Sequence, residues 1–467
     1  MGLLERIKIK EENRESRSAL LDNDDLRPWP LERRKWSFWS FNLFWFAAVT
    51  NVSNFMGGAS FLSMGLSFWD GVGCSTGGFA IVAIFMALNG RAGSKWHIGF
   101  PAYCRSSFGI FGARVHHFVG MVALCVTQAG GTGGPAITRG GTVTGYERHW
   151  LLIRFVLTSA ASCSTFASNA SDWQRNAIKP SDPILGQIIG FPLSNMIVSI
   201  IGLVVASTSE VVVGEIQWNP VIYLDMILER NLDNASIRAG VFFIALGFLY
   251  SLLYSSAIEN LFPWANDTAA LLPRYLNIRR GLYLCILFTI AINPWYLLGS
   301  ASIFITVLSS YQIFLFSIMA ILLVDYYVIC KGLFQIEDLY TTRRDGTYYY
   351  TYGVNIRAVV AYFVGVAVNF YGFLGNLNVF SVSDATRHSY YFAIFTTTTA
   401  AGLTYLALCK IWPVKHFNKE WSEPRGCWEP EQGQPGAGIK YDSEAGSSAS
   451  VDEKEKEEAS GTALPVV

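Results

Sequence analysis

Four polar residues close one long apolar run: Ser255, Ser256, Glu259 and Asn260, within VFFIALGFLYSLLYSSAIENLFPWANDTAALLPRYLNIRR from Val241 to Arg280. Hydroxyls, a carboxylate and an amide at membrane depth are costly unless they face a partner, a cavity or a solute. Pro263 is expected to cut the helix, and Arg274, Arg279 and Arg280 follow as a basic loop. Glu259 reads as the only carboxylate deep in a span. It is either a buried proton carrier or a lid group at the membrane edge.

Two further clusters need a reason. Asn51 and Asn54 sit mid-way along FNLFWFAAVTNVSNFMGGASFLSMGLS, one turn apart and so on one helical face. Gly57, Gly58, Ala59 and Ser60 come next; small residues permit close helix packing, and paired glycines let the backbone leave the helix. A helix broken at mid-membrane presents carbonyls and amides to an ion or a polar solute. The Ser- and Thr-rich LLIRFVLTSAASCSTFASNASDWQRNAIKPSD could be interrupted in the same way, although hydroxyls can also satisfy their own helix carbonyls. At its end Asp172 and Arg175, three apart, read as an ion pair or a gate.

The elements that must position these groups are spanning helices. The 467-residue chain is 51% hydrophobic and only 15% charged, well below the roughly 25% of soluble domains. Apolar segments near 41–63, 67–88, 108–128, 151–168, 188–207, 237–260, 282–298, 300–324, 356–374 and 390–411 approach the roughly twenty residues a bilayer requires. Lys and Arg crowd alternate loops: Arg33–Lys35, then Arg91, Lys95 and Arg105, then Arg175 and Lys179, then Arg274–Arg280, then Lys331–Arg344, then Lys410 and Lys415. The loop at 208–236 is acidic instead, so ten crossings with both ends cytoplasmic are expected. Arg139 and Arg148 in the loop 129–150 soften the contrast. Residues 1–35 and 414–467 read as disordered cytoplasmic tails flanking a permease domain at 36–413, serving as spacers or for trafficking control. Asn234-Ala-Ser is a glycosylation sequon close to the expected membrane surface.

Other classes fall away. Net charge is zero, which gives no electrostatic case for nucleic acid. The eight cysteines are scattered singly, without metal-ligand spacing. Adjacent His116 and His117 point to different faces, and no nucleophile–base order or phosphate-cradling loop stands out. No enzyme and no metal are expected; the partners are a lipid bilayer and a small polar solute.

The chain resembles the nucleobase–cation symporter family, in its fungal uracil/allantoin/uridine permease branch, over most of residues 27–415. The resemblance rests on LRPWPLERRKWSFWSFNLFW, GLSFWDGVGC, HIGFPAYCRSSFGIFGA, SNASDWQRNA, GEIQWNP, ENLFPWANDTAALLPRYLNIRRG, INPWYLL, LSSYQIFL, DYYVICKG, TYYYTYGVNIRAVVAY and VNFYGFLGN. It implies an all-α polytopic protein of the leucine-transporter type, with two inverted five-helix repeats and two extra helices. It implies proton-coupled uptake of a nucleobase or related heterocycle (uracil, allantoin or uridine) across the plasma membrane. Thiamine or nicotinamide riboside is the alternative cargo. No resident cofactor is implied, only a co-transported cation, a proton in fungal members.

Site residues follow from the same likeness. Asn260 matches the family's substrate asparagine and Asn51 the first-helix contact, while Cys163 stands where many members stack a Trp on the ligand. Ala47, Thr50, Ser251, Tyr254 and Ser255 match the cation locus, and Glu259, Asp172 and Arg175 remain for coupling or gating. One region departs. GARVHHFVG resembles the start of the third helix and MVALCVTQAGGTGGPAI the end of the fifth, so Gln128 belongs to the fifth-helix terminus. Near 115–135 one hybrid span replaces three, which leaves about ten crossings instead of twelve and an incomplete first repeat. The expected consequence is a shortened form with impaired transport, or a non-transporting one.

Overall fold

Helices are the regular elements of the described residues, as a bilayer demands of a chain that must satisfy every backbone group internally. The computed structural model describes residues 21, 22, 24–110, 141–292, 306 and 309–423, apart from the side chains of residues 52, 53, 208, 210 and 211. The expected third crossing, with His116, His117 and Gln128, lies outside the described residues from 111 onward.

Over the described residues, each of the other expected crossings falls on helix. The first is split into α1 (Phe38–Val49) and α2 (Val52–Ser63), and the second is α3 (Phe68–Asn89). α4 (Arg91–Trp96) and α5 (Phe100–Phe108) occupy the basic loop. The fourth is α6 (Gly145–Ser162), continued by α7 (Ser164–Ser168) and α8 (Ala170–Gln174). The fifth is α9 (Phe191–Val213); α10 (Pro220–Arg230) lies in the acidic loop. The sixth joins α11 (Ala235–Ser256) to α12 (Phe262–Leu271), and the seventh is α13 (Ile278–Ile292). The eighth shows α14 (Gln312–Val324), the ninth is α15 (Ile356–Asn376), and α16 (Asp384–Tyr391) leads into α17 (Ala393–Ile411).

Local sequence explains the starts and the irregularities. Ser67 and Asp70 form a capping box that opens α3, and Arg148 Nη2 reaches Asp70 Oδ1 at 2.7 Å, tying the entry of α6 to it. The sequon residue Asn234 is committed to capping α11, accepting from the amides of Ser236 and Ile237. Pro263 does not cut the sixth crossing, which runs as one helix from Ala235 to Leu271. A proline ring clashes with the carbonyl four residues back and cannot hydrogen-bond it. Here the preceding turn, Ala257–Leu261, widens to a π turn and absorbs both defects. The same device precedes Phe191-Pro192, where Gly186–Gly190 is a π turn.

Two cores hold the bundle. Trp45, Phe79, Ala160, Cys163, Phe166, Phe191 and Phe316 pack as one cluster between the broken helices, α3, α9 and α14. The other lies towards the chain ends and gathers Trp96, Phe100, Tyr103, Tyr326, Phe334 and Tyr405. The described parts of the expected tails, 24–35 and 414–423, are docked on this second core. Asp25 accepts from the Ile278 amide at 3.1 Å, Tyr340 donates to the Leu26 carbonyl at 2.8 Å, and the Trp29 amide donates to His97 at 3.0 Å. At the other end Glu423, 5% exposed, accepts from Arg91 at 2.8 and 2.6 Å and from the Tyr326 hydroxyl at 2.6 Å. Residues 24–35 and 414–423 therefore belong to the packed body. Aromatic anchors and buried ion pairs, invisible in a local charge count, hold them there.

Candidate functional site

The first crossing breaks at Thr50 and Asn51, not at Gly57 and Gly58. Asn51 has extended backbone and caps α2, its Oδ1 accepting from the Asn54 amide at 2.9 Å. Gly58 lies within α2 against α9, where an added Cβ would stand 2.8 Å from Ser199 Cβ. Gly58 thus serves close packing, whereas a Cβ at Gly57 would meet nothing within 4 Å, and it is the asparagine that ends one helix and starts the next. Asn54 Nδ2 donates to the Val49 carbonyl at 3.1 Å, covering one of the acceptors that the break frees.

Opposite this break stands the π turn that carries Glu259. Asn51 Nδ2 donates to both Glu259 carboxylate oxygens, at 3.4 and 3.3 Å, and to the Ala48 carbonyl at 3.1 Å. Glu259 is buried, its carboxylate turned to Asn51. Asn51 is engaged through both ends of its amide in this state, by its own helix cap and by Glu259. Asn260, the next residue of the π turn, is half-buried. Ser251 donates to the Thr50 carbonyl, which brings the two halves of the expected cation locus together. Thr50 is exposed and turns its own hydroxyl back to the Phe46 carbonyl at 2.5 Å, while Ala47 is half-buried. On α11 Ser255 is buried and bonds back to the Leu252 carbonyl at 3.3 Å, whereas Tyr254 is 44% exposed and points away.

The fourth crossing is interrupted as expected, at Cys163. This residue is buried in the central core, within electrostatic reach of Glu259. The carbonyls released there are covered: Tyr311 donates to Ser162 at 2.9 Å, and Asn89 Nδ2 donates to Ala167 and Ser168, each at 2.8 Å. Tyr311 and Asn89 were missed in the sequence because their roles depend on chain segments far away. Asp172 and Arg175 are fully buried at the end of this crossing and interact electrostatically. Both press on Gly99, where a Cβ would meet Asp172 Oδ1 at 2.9 Å and Arg175 Nη1 at 3.0 Å. Asp172 accepts from the Phe100 amide at 2.9 Å, and Arg175 lies over the Trp29 ring at 4.6 Å and donates to the Asp25 carbonyl at 3.1 Å. They sit together beneath the docked N-terminal segment, apart from the Asn51–Glu259 contact.

Glu259 is not the only carboxylate deep in a span. Asp325 is fully buried, accepting from the Tyr405 hydroxyl at 2.8 Å, Ser106 Oγ at 3.1 Å and His416 Nε2 at 3.0 Å. It escaped notice because the eighth crossing does not stop at Val324 but runs on through a π turn, Asp325–Ile329. Its partner His416 lies in what reads locally as tail.

A family model described as a permease for cytosine/purines, uracil, thiamine and allantoin matches residues 28–129 and 126–395. The chain belongs to that permease family. An uncharacterized permease of Schizosaccharomyces pombe is 30% identical over 542 aligned positions, covering 93% of this chain and 91% of its own length. The uridine permease of Saccharomyces cerevisiae is 30% identical over 491 positions, covering 85% and 76%. Among solved structures, Mhp1, a nucleobase-cation-symport-1 family transporter in a closed conformation with bromovinylhydantoin bound, superposes with a TM-score of 0.63. The identity is 18%, with 86% of this chain and 98% of Mhp1 covered. The architecture is thus that of an all-α polytopic transporter, and these relatives are permeases, not enzymes. Both alignments to the fungal permeases are longer than the 467 residues of this chain, so each must place gaps opposite it. The family match is itself divided at residues 126–129.

Proposed function

We propose that this permease is built to carry a planar heterocycle such as uracil, allantoin or uridine together with a proton across the plasma membrane, with both chain ends cytoplasmic. The observation that carries the reading is the Asn51–Glu259 contact between a helix break and a π turn. A carboxylate buried against a neutral amide at two irregular backbone points is placed to bind and release a proton as those points move. Asn260 beside it is the group for the ring edge, and Asn51 can join when Glu259 lets go of its amide. Thr50, Ala47, Ser251 and Ser255 form the adjoining cation locus, in which the Ser251 hydroxyl covers the Thr50 carbonyl. Cys163 offers no ring for stacking, so the cargo is held by fewer contacts than the family resemblance implies.

The same reading holds that most of the third to fifth helices is missing near 115–135 and that transport by this chain is weak. Three observations support it: the divided family match, the alignments longer than the chain, and the exposure of the sixth crossing, whose most apolar window is 6% buried. Uptake of labelled uracil, uridine and allantoin in transport-null cells tests it, with unlabelled thiamine as competitor. The chain itself should give little saturable uptake. A chimera with the corresponding helices of a full-length relative inserted at 115–135 should give saturable uptake that a protonophore and Glu259→Gln both abolish. Uptake by the chimera that ignores both would sink the proton reading, and competition by thiamine would shift the cargo.

A further inference from the structure

At the face opposite the docked chain ends, a cavity of about 620 Å³ opens between the start of α6, the end of α15 and α16. It contains neither Asn51, Glu259, Asn260 nor any part of α11. Its size falls within the range of sites for small organic ligands. Three features of its walls exceed what packing requires.

Arg154 is the first. It lies two turns into α6, lines both this cavity and an adjoining void of about 10 Å³ behind the same wall, and has its guanidinium 5.7 Å from the Tyr391 ring centre. Among the described residues no carboxylate pairs with it, although Asp70 is paired with Arg148 nearby on the same helix and Asp384 with Arg387 at 3.3 Å on α16. A cation on a spanning helix that faces a cavity without a carboxylate partner is a functional-site signature. The second is Gln312 just beyond the wall: 3% exposed, lining the adjoining void of about 10 Å³, with its Oε1 lacking a hydrogen-bond partner. A buried acceptor left open is costly and suits a hydrogen-bond donor. The third is flatness. Trp150 stacks on His388 at 3.8 Å with the planes 2° apart, and Tyr391 packs beside both at 6.4 and 5.7 Å, so the three rings form one aromatic wall.

We propose that this cavity is a second solute site, distinct from the one at Asn51 and Glu259, and that it takes a planar heterocycle bearing a carboxylate. The carboxylate meets the Arg154 fork and the aromatic wall accepts a ring face, while a water in the adjoining void of about 10 Å³ links the solute to Gln312 Oε1. Asp384 is neutralised by Arg387 at 3.3 Å, and Glu147 is exposed at the rim, where water screens its repulsion of an anion, so Arg154, half-buried on the inner side, decides the sign. Every described residue of its lining lies outside 111–140, and the site can bind even if this chain does not transport.

Equilibrium binding of labelled orotate and uracil to the full chain in lipid nanodiscs tests the proposal. Orotate should bind saturably and more tightly than uracil. Arg154→Gln should weaken orotate by about tenfold or more, as loss of a charged hydrogen-bond pair does, and Arg154→Lys should recover part of it. Asn260→Ala should leave orotate binding unchanged. If Arg154→Gln does not fold, Asn376→Asp, which adds a negative charge at the wall shared by both cavities, should weaken orotate in the same way. Absence of saturable orotate binding would overturn the proposal. So would loss of binding in Asn260→Ala with retention in Arg154→Gln or Asn376→Asp. Failure of uptake in the preceding experiment would leave these outcomes untouched.

Discussion

Two spanning helices of nearly equal hydropathy have opposite surroundings. The window within Gln312–Ile329 has a mean hydropathy of 2.0 and is 72% buried; that within Ala235–Leu271 has 1.9 and is 6% buried. Both contain a π turn and a carboxylate, Asp325 in the first and Glu259 in the second. Asp325 is enclosed by partners from α5, α17 and the C-terminal segment. Glu259 meets Asn51 from one side, while Tyr250, Leu253 and Tyr254 a turn or two away are exposed. Apolarity alone cannot tell these helices apart, because lipid and protein interior both accept leucine. What distinguishes them is the neighbours: protein encloses α14 on most sides, and α11 on few.

That contrast can be broken by substitution. Asp325→Ala should cost the most, about 3–5 kcal/mol, since it strips a buried charge network and strands His416, Tyr405 and Ser106. Thermal unfolding in detergent measures it. Met319→Ala, 1% exposed, should cost about 2–5 kcal/mol, whereas Leu253→Ala, 63% exposed, should stay within about 0.5 kcal/mol. Equal costs for the last pair would mean that α11 is covered after all.

A third prediction concerns the docked N-terminal segment, which closes the well-packed end. Burial, and after it the charge of Arg34, lower the His97 pKa from 6.5 to about 4, while its Nδ1–H donates to the Arg175 carbonyl at 3.1 Å. The unfolded chain binds this proton near pH 6.5 and the folded one only near pH 4. The stabilising contribution is therefore complete above 6.5 and is lost as pH falls towards 4, by about 3 kcal/mol across that window. Stability measured against pH should show this slope in the parent chain and a shallower one in His97→Asn. The smallest loss apart from the Leu253 control is expected at Ser251→Ala, which removes one hydrogen bond to the Thr50 carbonyl and should cost about 1 kcal/mol.

Much of this arrangement was legible from residue order. Apolar run length located the crossings, and polar residues at depth pointed to Asn51, Glu259 and the interrupted fourth span. The errors share one cause: local signals were read without their distant partners. Pro263 reads as a helix breaker until the π turn before it is seen. Gly57 and Gly58 read as the break until Asn51 is seen capping α2. Asp325 and His416 are 91 residues apart, and only the folded chain joins a span end to a tail. Arg154 and Gln312 likewise gain meaning from the cavity they share.

The most direct test of the account is lipid contact along α11. Photo-reactive residues placed singly at Leu253 and at Leu322, in the full chain in nanodiscs containing tritiated lipid, report which side chains meet the bilayer. The account predicts strong lipid labelling from position 253, which is 63% exposed, and none from position 322, which is fully buried. Cross-links from position 253 into the protein itself, with no lipid labelled, would contradict it.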